Sequence, residues 1–262
     1  MIDIKKAEEE FKRYINNYDM NESHIERKVR HTFRVERICE ELAILLNMSE
    51  EEINLAKLIG LLHDVGRFEQ YTRYKTYDDI KSIDHANLGV EILEKDNFIR
   101  RYIETDKYDN IILKAIENHN KYCISKDVNE EERIFCEIIR DADKLDIMYE
   151  ATCEFWVNDI EEMENQEIHP KVLEQFKEQK VVNKKYINKD VDVNRVIVIL
   201  AFIYDFYINA SYKIIKESNY INKMMNRFDF KNEETKNQMK LMQDIANEYI
   251  DNKIINEKIK EE

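Results

Sequence analysis

The sequence predicts an all-α protein. Only three glycines and one proline occur in 262 residues, too few turn formers for a sheet-rich fold. Glu, Lys, Ile, Leu, Asn and Tyr dominate, and apolar residues recur at helical spacing from the first residues onward. The length is ample for a buried core.

The elements follow in order. Ile4, Ala7, Phe11, Tyr14 and Ile15 form one apolar stripe, which the MNES stretch near Met20 breaks. A second helix is expected over 23–46. In NMSEEE at 47–52, Ser49 is placed to cap a third helix whose first turn is acidic. That helix is expected to end at Gly66. Residues 67–83 lack clean periodicity and read as a loop or short turns. Helices resume over about 84–95, 110–119 and 131–149, then 191–218, and a last amphipathic helix covers 233–258. Neither repeats nor low-complexity linkers occur. The chemically suggestive residues stop near Tyr149, so we expect a helical core over 1–150, including the N-terminal helix. Residues 151–262 would be a helical extension packing on it.

Composition narrows the function. The net charge is −14 and the pI near 5.1, a surface that repels nucleic acid and anionic membranes in bulk. A small basic pocket can still take a phosphorylated small molecule. The four cysteines, Cys39, Cys123, Cys136 and Cys153, show no CxxC pairing and read as reduced, buried thiols. MIDIKKAEEEF at the N-terminus has no apolar signal core. The apolar run VIVILAFIY at 196–204 stops at Asp205, short of the roughly 18 residues a membrane span needs. A cytoplasmic protein is expected.

Four of the six histidines fall on apolar stripes of different helices. His31 is in register with Val35, Ile38 and Leu42; His63 follows Ala56, Ile59 and Gly60; His85 precedes Leu88, Gly89 and Ile92; His119 follows Ile112, Ala115 and Ile116. His24 and His169 sit near element ends. One such histidine is usually a core residue bonded to a carbonyl. Four facing one helical core, with Asp64 joined to His63, point instead to a metal, because imidazole and carboxylate hold zinc, iron or manganese and a cation offsets the desolvation of the carboxylate. A carboxylate-rich partner follows in RDADKLD at 140–146. Projection at 100° per residue places Asp146 within the apolar face, Asp143 at one edge and Asp141 at the other, so periodicity favours Asp146.

The order His31, His63-Asp64 and Asp143 inside ADKLD resembles the HD-domain superfamily of metal-dependent phosphohydrolases over residues 28–149. The resemblance implies an HD-type helical bundle in which Asp143, not Asp146, is the ligand, with Asp146 orienting a ligand imidazole. His85 in DHANLG and His119 in ENHN look like the additional histidines of two-metal members. There, His31, His63, Asp64 and Asp143 would hold the first divalent ion, and Asp64, His85 and His119 the second. The donor set suits Mn, Fe, Mg, Ni, Co or Zn alike. The Gly-Tyr-Pro motif of the family's cyclic-dinucleotide phosphodiesterases is missing, since the one proline is Pro170. No nucleotidyltransferase or synthetase segment like those of its alarmone enzymes is seen.

Two adjacent cations would acidify a shared water and neutralise phosphoryl oxygens. Phosphoester hydrolysis also needs a cationic clamp, and Arg67, Lys144 and Lys28 are the nearby candidates, each otherwise a solvated charge. Segment 67–83 has a local balance of +1, and its Tyr71, Tyr74 and Tyr77 suit either stacking on a base or sugar, or plain packing. This segment is expected to roof the pocket. Asp205 and Trp156 could reach the pocket, although a tyrosine or arginine partner in the core better suits Asp205. The expected substrate is a small phosphomonoester or phosphodiester, with a nucleotide the best single choice. Two rivals share the ligand set: a catalytically silent metal- and nucleotide-binding sensor, and a di-iron oxygenase. The 151–262 extension would complete the bundle, cover the site or form a homodimer contact.

Overall fold

The computed structural model describes residues 2–153, 160–187 and 191–261. Among them no strand occurs, and no helix is long and apolar enough to cross a membrane. The chain divides into two compact units, Met1–Asp143 and Lys144–Glu262. Trp156 lies outside the described residues.

In the first unit, α1 (Ile4–Ile15) begins at Asp3, whose side chain accepts from Lys6 N at 3.0 Å. It buries Ala7, Phe11, Tyr14 and Ile15, the stripe read from the sequence. Helix α2 (Ser23–Leu45) packs along α3 (Glu50–Leu62), which opens on a capping box between Ser49 and Glu52. The two backbones approach closely at Gly60, where a Cβ would stand 2.9 Å from Glu36 Cα and 3.0 Å from Cys39 Sγ. A larger residue would wedge α2 and α3 apart, and with them the histidines they carry.

Helix α3 stops before Gly66. Its last residue is Leu62, His63 keeps helical angles, and Asp64 (φ −105°, ψ 17°) breaks the run before α4 (Val65–Tyr74) starts. Gly66 therefore does not release the chain from a helix; it lies in the first turn of the next one, against α5 (His85–Glu94). A Cβ there would meet His85 O at 2.2 Å and Gly89 N at 2.7 Å. Residues 67–74, expected to be irregular, are helical because Phe68, Gln70 and Tyr71 bury one face of α4. The fully buried polar Gln70 interrupts the apolar stripe that would have announced this helix. From α1, Phe11 and Tyr14 set their rings edge-on to Phe68, and Tyr14 Oη donates to Val65 O at 2.9 Å, which anchors the turn carrying Asp64.

Helix α5 is capped by Asp84, which accepts from Asn87 N at 3.0 Å. A 3-10 segment (Lys95–Arg101) leads to α6 (Asp109–Asn118), and α7 (Glu130–Cys153) follows. The division between the units falls inside α7; the sequence expectation placed it near Tyr149.

Glu36 gives the first unit a pH dependence. Burial, followed by the neighbouring Glu8, pushes its carboxyl up to about 7, while Lys57 opposes them. Between pH 4.5 and 7 the folded chain thus holds a proton that the unfolded chain releases, so stability falls as pH rises through that window. The loss reaches about 3 kcal/mol at most. Glu36→Gln should flatten this slope: the wild type melts lower at pH 8 than at pH 5, and the variant loses most of that difference in thermal melts.

In the second unit, α8 (Ile160–Glu164) precedes α9 (Pro170–Lys177), which has proline in its first turn and His169 as its cap. A 3-10 turn (Lys184–Tyr186) leads to α10 (Asn194–Leu200). The single long helix expected over 191–218 is divided. Helix α10 tightens into a 3-10 turn (Ala201–Tyr204), the helix ends at Asp205, and α11 (Asn209–Ser218) starts anew. Helix α12 (Tyr220–Met225) and the long α13 (Glu233–Glu261) complete the unit. Its core includes Val196, Ile197, Leu200 and Ala201 from the apolar run, with Phe176, Met224, Met242 and Ala246.

Candidate metal centre

Five elements of the first unit carry the site. His31 comes from the middle of α2, His63 and Asp64 from the α3–α4 turn, His85 from the first residue of α5, His119 from the end of α6, and Asp143 from α7. All but Asp143 are almost fully buried; its side chain retains 20 % exposure.

The helix ends fix the rings. His63 Nδ1–H donates to Gly60 O, and His119 Nδ1–H to Ile116 O, each at 2.7 Å. Each ring thus bonds a carbonyl of its own last turn, and Ile116 O also accepts from His119 N at 3.4 Å. A carbonyl only accepts, so the proton sits on Nδ1 and Nε2 points inward with its lone pair. His85 has no preceding turn; its Nδ1–H faces the Asp79 carboxylate at 2.7 and 2.9 Å.

These lone pairs converge. His85 and His119 bring their Nε2 atoms to 2.9 Å, and His31 and His63 to 3.3 Å. Asp64 lies between the two pairs. Its Oδ2 is 3.5 Å from Nε2 of both His31 and His63, and its Oδ1 is 3.4 Å from His85 Nε2 and 3.6 Å from His119 Nε2. Asp143 Oδ1 joins the first pair, 3.1 Å from His31 Nε2 and 4.0 Å from His63 Nε2. The Nε2 atoms of His85 and His119 face each other as acceptors with no proton between them and repel one another, and a cation removes that repulsion. Donors about 2.1 Å from one ion stand about 3.0–3.4 Å apart, close to most of these separations. Two donor groups, His31–His63–Asp64 and Asp64–His85–His119, can thus each hold a metal ion.

Electrostatics keep the donors in their ligating forms. Burial lowers the pKa of His63, and burial together with Arg67 takes His85 down to about 3, so both are neutral imidazoles at neutral pH. Burial works against ionising Asp64, but the Lys28 ammonium outweighs it and holds the carboxyl well below the usual range. For Asp143, burial is likewise overcome by the hydrogen bond and charge of His31.

The clamp candidates are placed differently from one another. Lys28 Nζ lies 2.7 Å from Asp64 Oδ2. Arg67 Nε lies 3.5 Å from Asp64 Oδ1, while its Nη1 donates to Gln70 Oε1, Tyr77 O and Asp79 Oδ1. Lys28 and Arg67 flank the Tyr77 ring, 5.7 and 5.6 Å from its centroid. Lys144 belongs to the second unit, where its Nζ pairs with Asp205 at 2.9 Å. Asp146 is also in the second unit and fully buried. Tyr71 and Tyr77 pack on each other at 4.9 Å, Tyr71 also stacks on His24, and Tyr74 is exposed.

Sequence reasoning missed the side chains behind these donors. Asp79 was only one charge among several in an aperiodic stretch, and Gln70 and Asn120 carried no signal beyond proximity to the histidines. Arg140, buried at the start of RDADKLD, donates to Asn118 O and Lys121 O and so ties down the chain on both sides of His119.

A helical domain that converges four imidazoles and two carboxylates is of the metal-binding class. Residues 29–148 match the HD domain family, whose members are mostly metal-dependent hydrolases. No curated protein and no solved structure matches the chain.

Proposed function

We propose that the chain hydrolyses a small phosphoester, a nucleotide or a related phosphomonoester or phosphodiester, at a centre of two divalent ions. The observation that carries this reading is the position of Asp64, whose two oxygens each face a separate histidine pair. Such ions supply an acidified water and neutralise charge on the phosphoryl oxygens. His31, His63 and Asp143 would hold one ion and His85 and His119 the other, with Asp64 shared.

Lys28 and Arg67 give the site the cationic edge that a phosphoryl group requires, the Arg67 side chain being 16 % exposed. Arg67 Nη2 makes no hydrogen bond among the described residues and is left for an anion. Tyr77, with Lys28 on one side and Arg67 on the other, offers a ring next to that edge for a base or sugar. Lys144 supports the reading less, because its ammonium is engaged by Asp205.

The test is a phosphoester screen on protein loaded with each candidate metal. We expect turnover of at least one nucleotide or small phosphate ester, lost by about 100-fold or more in His63→Ala. Full metal occupancy with no turnover of any kind would move the sensor reading ahead. Two tightly held irons with oxidative but no phosphatase activity would favour the oxygenase.

A further inference from the structure

Asp79 belongs to no motif, yet four side chains beside the centre engage its carboxylate. Its two oxygens lie 2.7 and 2.9 Å from His85 Nδ1. Its Oδ1 also accepts from Gln70 Nε2 at 2.8 Å and Arg67 Nη1 at 3.0 Å, and its Oδ2 from Asn120 Nδ2 at 3.1 Å. The donors come from α4, from α5 and from the residue after His119. Gln70 is fully buried and donates further to Ser82 Oγ and Ile83 O, each at 2.9 Å, which fixes the segment carrying Asp79.

Three of the four inner rings are set by two different devices. His63 and His119 end helices, and a carbonyl three residues back takes each Nδ1–H. His85 begins a helix and has no such carbonyl, so an acceptor must come from elsewhere in the chain. We propose that Asp79 is the positioning residue for the second ion: it holds the proton of His85 on Nδ1, turns Nε2 toward Asp64 and His119, and makes affinity at that half of the centre depend on the segment between α4 and α5. The proposal rests on the two-ion reading above. A carboxylate behind a ligating imidazole fixes its tautomer and raises its basicity, and loss of such a partner typically weakens metal binding 10- to 100-fold. By linkage, ion binding at His85 steadies the same segment, whose tip residue Ile80 is 96 % exposed.

The experiment is calorimetric titration of the metal-free full chain with Mn²⁺, for the wild type, Asp79→Asn and Asn120→Ala. We expect Asp79→Asn to lose about tenfold or more in affinity at one of two sites and to leave the other within about threefold. Asn120→Ala, which removes one donor to Asp79 and leaves the carboxylate in place, should weaken the same site by less. Nitrogen NMR of the metal-free protein should find His85 as the Nδ1–H tautomer in the wild type and a tautomer mixture in Asp79→Asn. Trypsin cleavage after Lys81 should slow on adding Mn²⁺ to the wild type but not to Asp79→Asn. Folded Asp79→Asn that binds both ions with wild-type affinity would overturn the proposal. So would an unchanged His85 tautomer, a readout that needs no metal. A single ion in the wild type would instead overturn the two-ion reading, and the tautomer would still decide the role of Asp79. If Asp79→Asn fails to fold, unchanged affinity at both sites in Asn120→Ala overturns the proposal.

Discussion

Asp64→Asn should abolish binding of both ions and remove all metal-dependent turnover, the largest effect expected of any single substitution in the chain. Each Asp64 oxygen faces its own histidine pair, so no other residue is shared between the two donor groups. Asparagine keeps the shape but offers a neutral oxygen on one side and an amide on the other, and an N–H cannot ligate. Melting reports the same loss without activity. At a metal concentration about 1,000 times Kd, binding stabilises the wild type by about 4 kcal/mol, or about 8–16 °C for a chain of this size. Asp64→Asn should show no metal-dependent rise in Tm. A variant that keeps half of the shift would mean that one donor group is complete without Asp64.

Gly66→Ala should be nearly as damaging, although Gly66 touches no ion. The added Cβ would overlap His85 O at 2.2 Å and Gly89 N at 2.7 Å, both backbone atoms that cannot rotate away. The first turns of α4 and α5 must then separate, and these turns hold Asp64 and His85. Overpacking of this kind costs about 1–3 kcal/mol. We expect a Tm several degrees lower and weakened binding of the ion next to His85. Gly89→Ala is the control. Its Cβ would meet the Val65 side chain at 3.3 Å, which can yield, so the loss should be clearly smaller. Equal losses in thermal melts would show that backbone contact at Gly66 is not what sets the spacing.

These two residues also show what the sequence could and could not reveal. The four inward histidines were legible because each shares a stripe with aliphatic neighbours, and a stripe is a property of one helix. The break at Asp64 was not, because Ile59, Leu62 and Val65 keep apolar spacing across it, and a turn of two residues leaves the periodicity nearly intact. Gly66 therefore looked like a helix terminator, when its task is close approach to another helix far along the chain. Helix α4 was missed for the opposite reason: its inward face includes Gln70, whose partners lie across a loop.

The aspartates of RDADKLD teach a related lesson. Periodicity predicted that Asp146 is the more buried residue and Asp143 lies at the edge of the face, and burial follows that order. Asp143, at the edge of that face, nevertheless stands 3.1 Å from His31 Nε2, and no projection of a single helix could show that. Asp79 was invisible for the same reason, since its role depends on a ring contributed by the next helix.

The central claim is that Asp64 joins two ion sites. It is tested most directly by purifying the protein without chelator, saturating it with Mn²⁺, removing free metal and counting bound ions by mass spectrometry of the elements. The geometry predicts two ions per chain for the wild type and none tightly held in Asp64→Asn. One ion per wild-type chain would contradict it.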